Sequence, residues 1–107
     1  MSERPESGPE LLAVLRAHEA ELRAQGIETI ILFGSFARGG ETATSDVDLL
    51  VRPGKGFSPG GFEHFSRLDA LRERLKRLLG RDIDIVEEPV VAPRLRRIIA
   101  REGVRAF

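Results

Sequence analysis

Apolar positions alternate with polar ones in two periods along this chain, and the two periods divide it into elements. Leu11, Val14, Leu15, His18 and Leu22 recur at i, i+3, i+4 spacing, one face of a helix that should end near Gly26. Ser7 followed by Glu10, with Pro9 in the first turn, is a start signal. "IETIILF", Ile27 to Phe33, is β-branched and apolar, a buried strand. "SDVDLLV", Ser45 to Val51, is a second strand, stopped by Arg52-Pro53-Gly54. "KGFSPGG", Lys55 to Gly61, is a loop. Phe62, Phe65, Leu68, Leu71, Leu75 and Leu78 form a second helical stripe, closed by Gly80. "DIDIV", Asp82 to Val86, is a third strand, and Pro93 to Glu102 a short basic helix with Leu95, Ile98 and Ile99 on one face.

The connections set the topology. Eleven residues separate Phe33 from Ser45, too few for most parallel crossovers, so the first two strands should be antiparallel. A long helix joins the second strand to the third, as in a right-handed parallel crossover. The expected fold is therefore α/β (α+β): a small three- to four-stranded mixed sheet flanked by helices. Its 107 residues fit one domain, 1–107, with residues 1–8 flexible. In this arrangement Gly34-Ser35, Asp46-Asp48 and Asp82-Asp84 meet at one edge of the sheet.

Charge excludes little globally, because 17 basic residues balance 17 acidic ones. Locally, residues 64–107 hold 11 Lys or Arg against 7 Asp or Glu. With no cysteine, disulfides, thiolate catalysis and cysteine zinc sites are ruled out. No apolar run is long enough to span a bilayer, and "MSERPESGPE" has no apolar signal core, so a cytoplasmic protein without membrane partners is expected. Without Trp or Tyr the chain offers little for base stacking, and no nucleic-acid template is expected.

The chemistry lies in "FGSFARGGETATSDVDLLV", Phe33 to Val51. Asp46 and Asp48, two apart on a strand, share a face, while Val47, Leu49 and Val51 point to the core. Two like charges on one face repel, and Asp is a poor strand former. Either the face is merely wet, or divalent cations neutralise it. Mg²⁺ takes one or two carboxylates together with substrate phosphates. Gly34-Ser35 followed by a helical turn is the complement: exposed N–H groups, no Cβ at Gly34, and a hydroxyl at Ser35 for a triphosphate. Gly34 and Gly39 have the spacing of a P-loop, but Gly40-Glu41 replace its Lys-Ser/Thr. His18 and His64 have no metal-ligand spacing; His18 is read as a partly buried structural residue and His64 as a surface one. On strand three Asp82 and Asp84 have the same parity. Asp84, one pleat repeat further from Gly80, is the better-held of the two.

An apolar residue, Gly-Ser, ten residues, Asp-Val-Asp-Leu and a later "DIDIV" resemble the signature of the DNA polymerase beta-type nucleotidyltransferase superfamily. "GSFARG", "SDVDLLV" and "LRRIIAREGVRAF" resemble the wording of its minimal nucleotidyltransferases (MNT), over roughly residues 10–107. The resemblance implies a nucleotidyltransferase fold and metal-dependent transfer of a nucleoside monophosphate, AMP from ATP, with Mg²⁺ or Mn²⁺ as cofactor. It implies Gly34 and Ser35 for the nucleotide, Asp46 and Asp48 for metal, and Asp84 as third metal carboxylate, catalytic with the other two and a candidate base. It also implies a HEPN-domain toxin as partner, which an antitoxin of this kind silences by adenylylating a tyrosine or, in the alternative, by contact alone. A homo-oligomer is compatible with all of this.

Overall fold

A computed structural model describes residues 5–40, 45–54 and 61–107, the side chains at 61 and 62 excepted. The expected loop at 55–60, the residues 41–44 and the side chain of Phe62 lie outside the described residues. The elements run α1 (Gly8–Ala17), α2 (Glu19–Ala24), β1 (Ile27–Phe33), α3 (Ser35–Arg38), β2 (Val47–Pro53), α4 (Gly61–Leu79), β3 (Ile83–Glu87), α5 (Pro93–Glu102) and β4 (Val104–Arg105). The sheet order is β3-β2-β1-β4. β1 is antiparallel to β2 and to β4, and β2 is parallel to β3. The mixed sheet and both inferred strand directions are as the sequence implies.

One sheet face and the helices build the main core. Leu11, Leu15, Leu22, Leu71, Leu75 and Leu79 pack on Ile30, Leu32, Val47, Leu49, Val51 and Ile83. The opposite face carries a smaller apolar cluster of Phe33, Leu50 and Ile99, flanked by Ile31, Val86, Val90 and Leu95, with α5 laid over it. α1 starts as read: Glu10 N–H donates to Ser7 Oγ at 3.3 Å, the first half of a capping box. The expected single helix breaks at His18 (φ −107°, ψ 17°), whose Nδ1 lies 2.9 Å from the Val14 carbonyl. Within the segment expected to be flexible, the Pro5 carbonyl accepts a 3.1 Å bond from Arg81 Nε, while residues 1–4 lie outside the described residues.

Several boundaries differ from the reading, each for a stated reason. β2 starts at Val47, not Ser45, because pairing with β3 begins at Val47↔Ile83 and leaves Ser45 and Asp46 ahead of the strand. It continues through Pro53, because β3 pairs only as far as Val51↔Glu87. Beyond that point β2 is an edge, where a proline is tolerated. β3 likewise starts at Ile83, after Asp82. Phe65 leaves the α4 stripe and is 76% exposed. Counting back from Leu79, Leu75, Leu71 and Leu68, the helical period falls on position 64. His64, read as a surface residue, occupies that place with its side chain only 17% exposed and its Nε2 2.7 Å from Glu87. β4 is an addition to the reading: two residues carry no visible period.

β4 fastens the end of the described chain to the sheet. Arg105 pairs with Ile31 and Val104 with Leu32. Ala106 N–H then donates to the Ile30 carbonyl at 2.8 Å, and Ile30 N–H to the Phe107 carbonyl at 3.2 Å. The Phe107 ring is 8% exposed and lies under the Arg23 guanidinium, 5.0 Å from its centroid. Phe107→Ala is expected to destabilise the fold by about 3 kcal/mol, the loss typical of a buried ring. Thermal unfolding checks this, with a melting point lowered by roughly 10 °C or more.

Candidate active site

The β-sheet register decides which polar groups meet. Phe33 stands opposite Asp48 across the antiparallel pair, and Asp48 stands opposite Asp84 across the parallel one. Val47, Leu49 and Val51 are fully buried on the core face, so the pleat sends Asp48 and Asp84 to the other face. Asp48 is partly covered and Asp84 exposed. Asp46 is exposed just ahead of β2, so it reaches the cluster from the turn and not from a shared strand face.

The Gly-Ser turn sits directly on this row. Gly34 caps α3 with φ +80° and ψ −155°, and its carbonyl accepts from Ala37 and Arg38 N–H, both at 3.1 Å. Phe36, 2% exposed, roots the turn in the main core, and the Arg81 guanidinium lies 5.0 Å from its ring centroid. A Cβ on Gly34 would land on Asp48 Oδ2 and 2.9 Å from Asp48 Cγ. Two separate constraints therefore demand glycine here: the left-handed φ and the adjoining carboxylate. The expected reason, close approach of phosphate, is joined by one internal to the protein. Ser35 follows at the first position of α3, half-buried, its carbonyl accepting from Gly40 N–H at 3.0 Å.

The charges at this end oppose one another. Burial pushes the Asp48 carboxyl above its ordinary value, and the charges of Asp84, Asp46 and Glu102 add to it, while Arg38 opposes them. Among the described residues the side chains of Asp46, Asp48 and Asp84 have no ion pair or hydrogen bond. Asp82 differs: it lies outside β3 and its carboxylate faces α4, 3.2 Å from Lys76 Nζ. Parity puts Asp82 and Asp84 on one strand face; the structure differs in that Asp82 is not in the strand, while Asp84, the better-held of the two by position, is. Glu102, absent from the sequence reading, ends α5 and holds Arg38 Nη1 at 3.0 Å and 3.2 Å through its two oxygens. No spacing rule connects residues 38 and 102.

These groups can hold a hard cation by their chemistry: carboxylate oxygens, uncompensated, with one proton affinity raised by the others' charge. Among the described residues, however, no three His, Asp or Glu groups converge closely enough to hold a metal ion by themselves. The donor set therefore fits an ion that takes one or two carboxylates and completes its shell from a substrate, the habit of Mg²⁺.

Two measurements probe this geometry. Gly34→Ala is expected to cost about 1–3 kcal/mol from the φ alone, plus the clash with Asp48. Asp48→Ala in the same background should recover the clash but not the backbone strain, as a double-mutant cycle in denaturant would report. The second concerns pH. Because the folded carboxyl of Asp48 binds its proton more tightly than the unfolded one, the metal-free protein should lose stability as pH rises from the ordinary value of 3.8 through the raised one. Above that window the loss is complete, so Asp48→Asn should melt higher than the parent at pH 7 and about equally at pH 3.

Comparison with known proteins follows the same lines. Residues 15–106 match the family described as "Nucleotidyltransferase domain". The protein adenylyltransferase MntA of Thermococcus cleftensis is 34% identical over 99 residues, covering 89% of this chain and 91% of that protein. A solved structure provisionally described as a minimal nucleotidyltransferase superposes with a TM-score of 0.72 at 33% identity, covering 92% of this chain and 95% of that one. An MNT antitoxin complex with a tri-AMPylated HEPN toxin from Shewanella oneidensis shares the fold, with a TM-score of 0.58 at 17% identity over 90% of this chain and 71% of that one. The chain belongs to the nucleotidyltransferase domain family.

Proposed function

We propose that this nucleotidyltransferase moves AMP from ATP to a hydroxyl of a HEPN-type partner protein and silences it, acting as an antitoxin. The observation that carries the reading is the row Gly34, Asp48, Asp84: a Gly-Ser turn seated directly on neighbouring carboxylates whose side chains make no ion pair or hydrogen bond among the described residues. The names of the MntA relative and of the HEPN–MNT complex support the adenylyl group and the partner. In this reading Gly34 and Ser35 receive the triphosphate through main-chain N–H groups and the Ser35 hydroxyl. Asp46, Asp48 and Asp84 would supply the carboxylates for Mg²⁺, one or two to an ion with the rest of its shell from the substrate, and the bound ion would neutralise charge on the α-phosphate and the leaving pyrophosphate. The acceptor oxygen bonds to the α-phosphorus as the bond to the bridging oxygen of pyrophosphate breaks. The acceptor proton passes to a carboxylate oxygen of Asp84, which stands exposed at the mouth of the row.

A second reading, neutralisation by contact without turnover, draws on the absence of three converging ligands among the described residues. Magnesium-dependent transfer of label from α-labelled ATP to the purified partner separates the two. Asp46→Asn with Asp48→Asn should give a folded protein without transfer, and contact silencing should survive in it only under the second reading. Asp84→Asn should slow single-turnover transfer by about 10²–10⁴-fold while nucleotide still binds. Asp82→Asn loses only an exposed ion pair and should stay within about twofold of the parent. Full activity of Asp84→Asn would remove it from the mechanism.

A further inference from the structure

Arginines in this protein mostly have partners. Arg16 donates to the carbonyls of Arg105 and Ala106, Arg23 binds Glu19, Arg52 binds Glu88, Arg72 binds Asp69 and Arg74 binds Glu21. α5 breaks the pattern. Arg94, Arg96, Arg97 and Arg101 are all exposed, and none of their side chains has an ion pair or hydrogen bond among the described residues. Arg94, Arg97 and Arg101 fall at i, i+3, i+7 and so share one helix face, where like charges repel. Arg94 also stands in the first turn, the end at which the helix dipole disfavours a cation. Nothing within the fold rewards this placement.

The ground beside these charges is apolar and hollow. A cavity of about 660 Å³ opens between α5 and the second sheet face, lined by Ile31, Leu50, Val90 and Ile99 with Arg96 and Arg105 at its side; its one carboxylate, Glu88, is held by Arg52. Val91, just before α5, is 85% exposed. The far end of α5 abuts the carboxylates, since Glu102 is paired to Arg38 and its charge acts on Asp48. A ten-residue helix is about 15 Å long, so a bound segment of four or five extended residues would run from Val91 to the Asp48 row.

We infer that α5 and the residues leading into it form the docking surface for an acidic protein segment with an apolar anchor, the stretch of the acceptor that carries the modified hydroxyl. This rests on the proposed transfer to a protein. Arginine mixed with exposed aliphatic side chains is the composition of a protein–protein interface. A nucleic-acid surface would call for stacking groups, and residues 88–103, which make up this surface, include no aromatic side chain.

The test uses three fluorescein-labelled peptides with a central tyrosine and two leucines, flanked by Asp/Glu, by Asn/Gln or by Lys. Binding is read by anisotropy at about 150 mM salt without nucleotide. The acidic peptide should bind at least about tenfold more tightly than the amide one, and the lysine peptide not at all. Arg94→Ala with Arg97→Ala and Arg101→Ala, all exposed and checked for folding by circular dichroism, should bring the acidic peptide to the level of the amide one. Val91→Asp should weaken the acidic peptide by charge and by loss of the anchor. Equal binding of acidic and amide peptides overturns the inference. So does tighter binding of a single-stranded oligonucleotide, or salt-sensitive self-association that the peptide displaces. Transfer of AMP to the bound peptide is a separate readout. Binding without transfer supports the docking surface and counts only against the transferase reading.

Discussion

The pairing of β2 on both edges is the constraint from which the site follows. Val47, Leu49 and Val51 are fully buried, so a slip of one residue would turn Asp48 into the core and the valines out of it. That fixes the face of Asp48. The two partners fix its neighbours: β1 brings Phe33, and with it Gly34, to one side, and β3 brings Asp84 to the other. Parallel pairing on one edge and antiparallel pairing on the other allows the end of β1 and the starts of β2 and β3 to meet. No catalytic demand is needed to explain the arrangement, because burial of the alternating aliphatic residues enforces it.

The same register sets a local conflict. It gathers carboxylates in a partly covered place, where burial and mutual repulsion raise the proton affinity of Asp48. It also presses Gly34 against that carboxylate in a backbone conformation most residues avoid. Both features oppose stability, and only the charge of Arg38 works against the first. Such departures from local consistency mark functional sites. Here the departure has a sign, an excess of negative charge, which a bound cation would correct.

What the sequence made legible follows from the range of each signal. Ile27–Phe33 and Pro93–Glu102 were readable to the residue, since burial and period both act locally. Strand directions were readable from connection lengths. Asp46 and Asp82 were placed on strands because pattern alone cannot see where a neighbour's ladder begins; pairing starts at Val47↔Ile83 and leaves both outside. Phe65 joined the stripe by hydrophobicity, whereas the period selected His64, which is covered because Glu87 satisfies its ring. The Arg38–Glu102 pair and β4 were not readable, because each depends on a contact across the sheet that leaves no periodic trace.

α5 links these observations. At its end Glu102 holds Arg38, one turn from Gly34, and Gly103 turns the chain into β4 on β1. A Cβ at Gly103 would meet Ile31 Cγ2 at 2.8 Å, so the turn is seated against the same strand that ends in the Gly-Ser motif. Ile99 anchors the helix on Phe33, the β1 partner of Asp48, and on Leu50, two residues further along β2. An ion pair, a packed cluster and a strand thus join α5 to the carboxylate end. The exposed charges of α5 and the uncompensated charges of the site are opposite in sign, and rigid connections hold them on one side of the sheet. Their separation within a chain of balanced net charge favours an anion at α5 and disfavours one at the bare carboxylates, so a cation bound at Asp48 would be needed before an anionic group could approach that end.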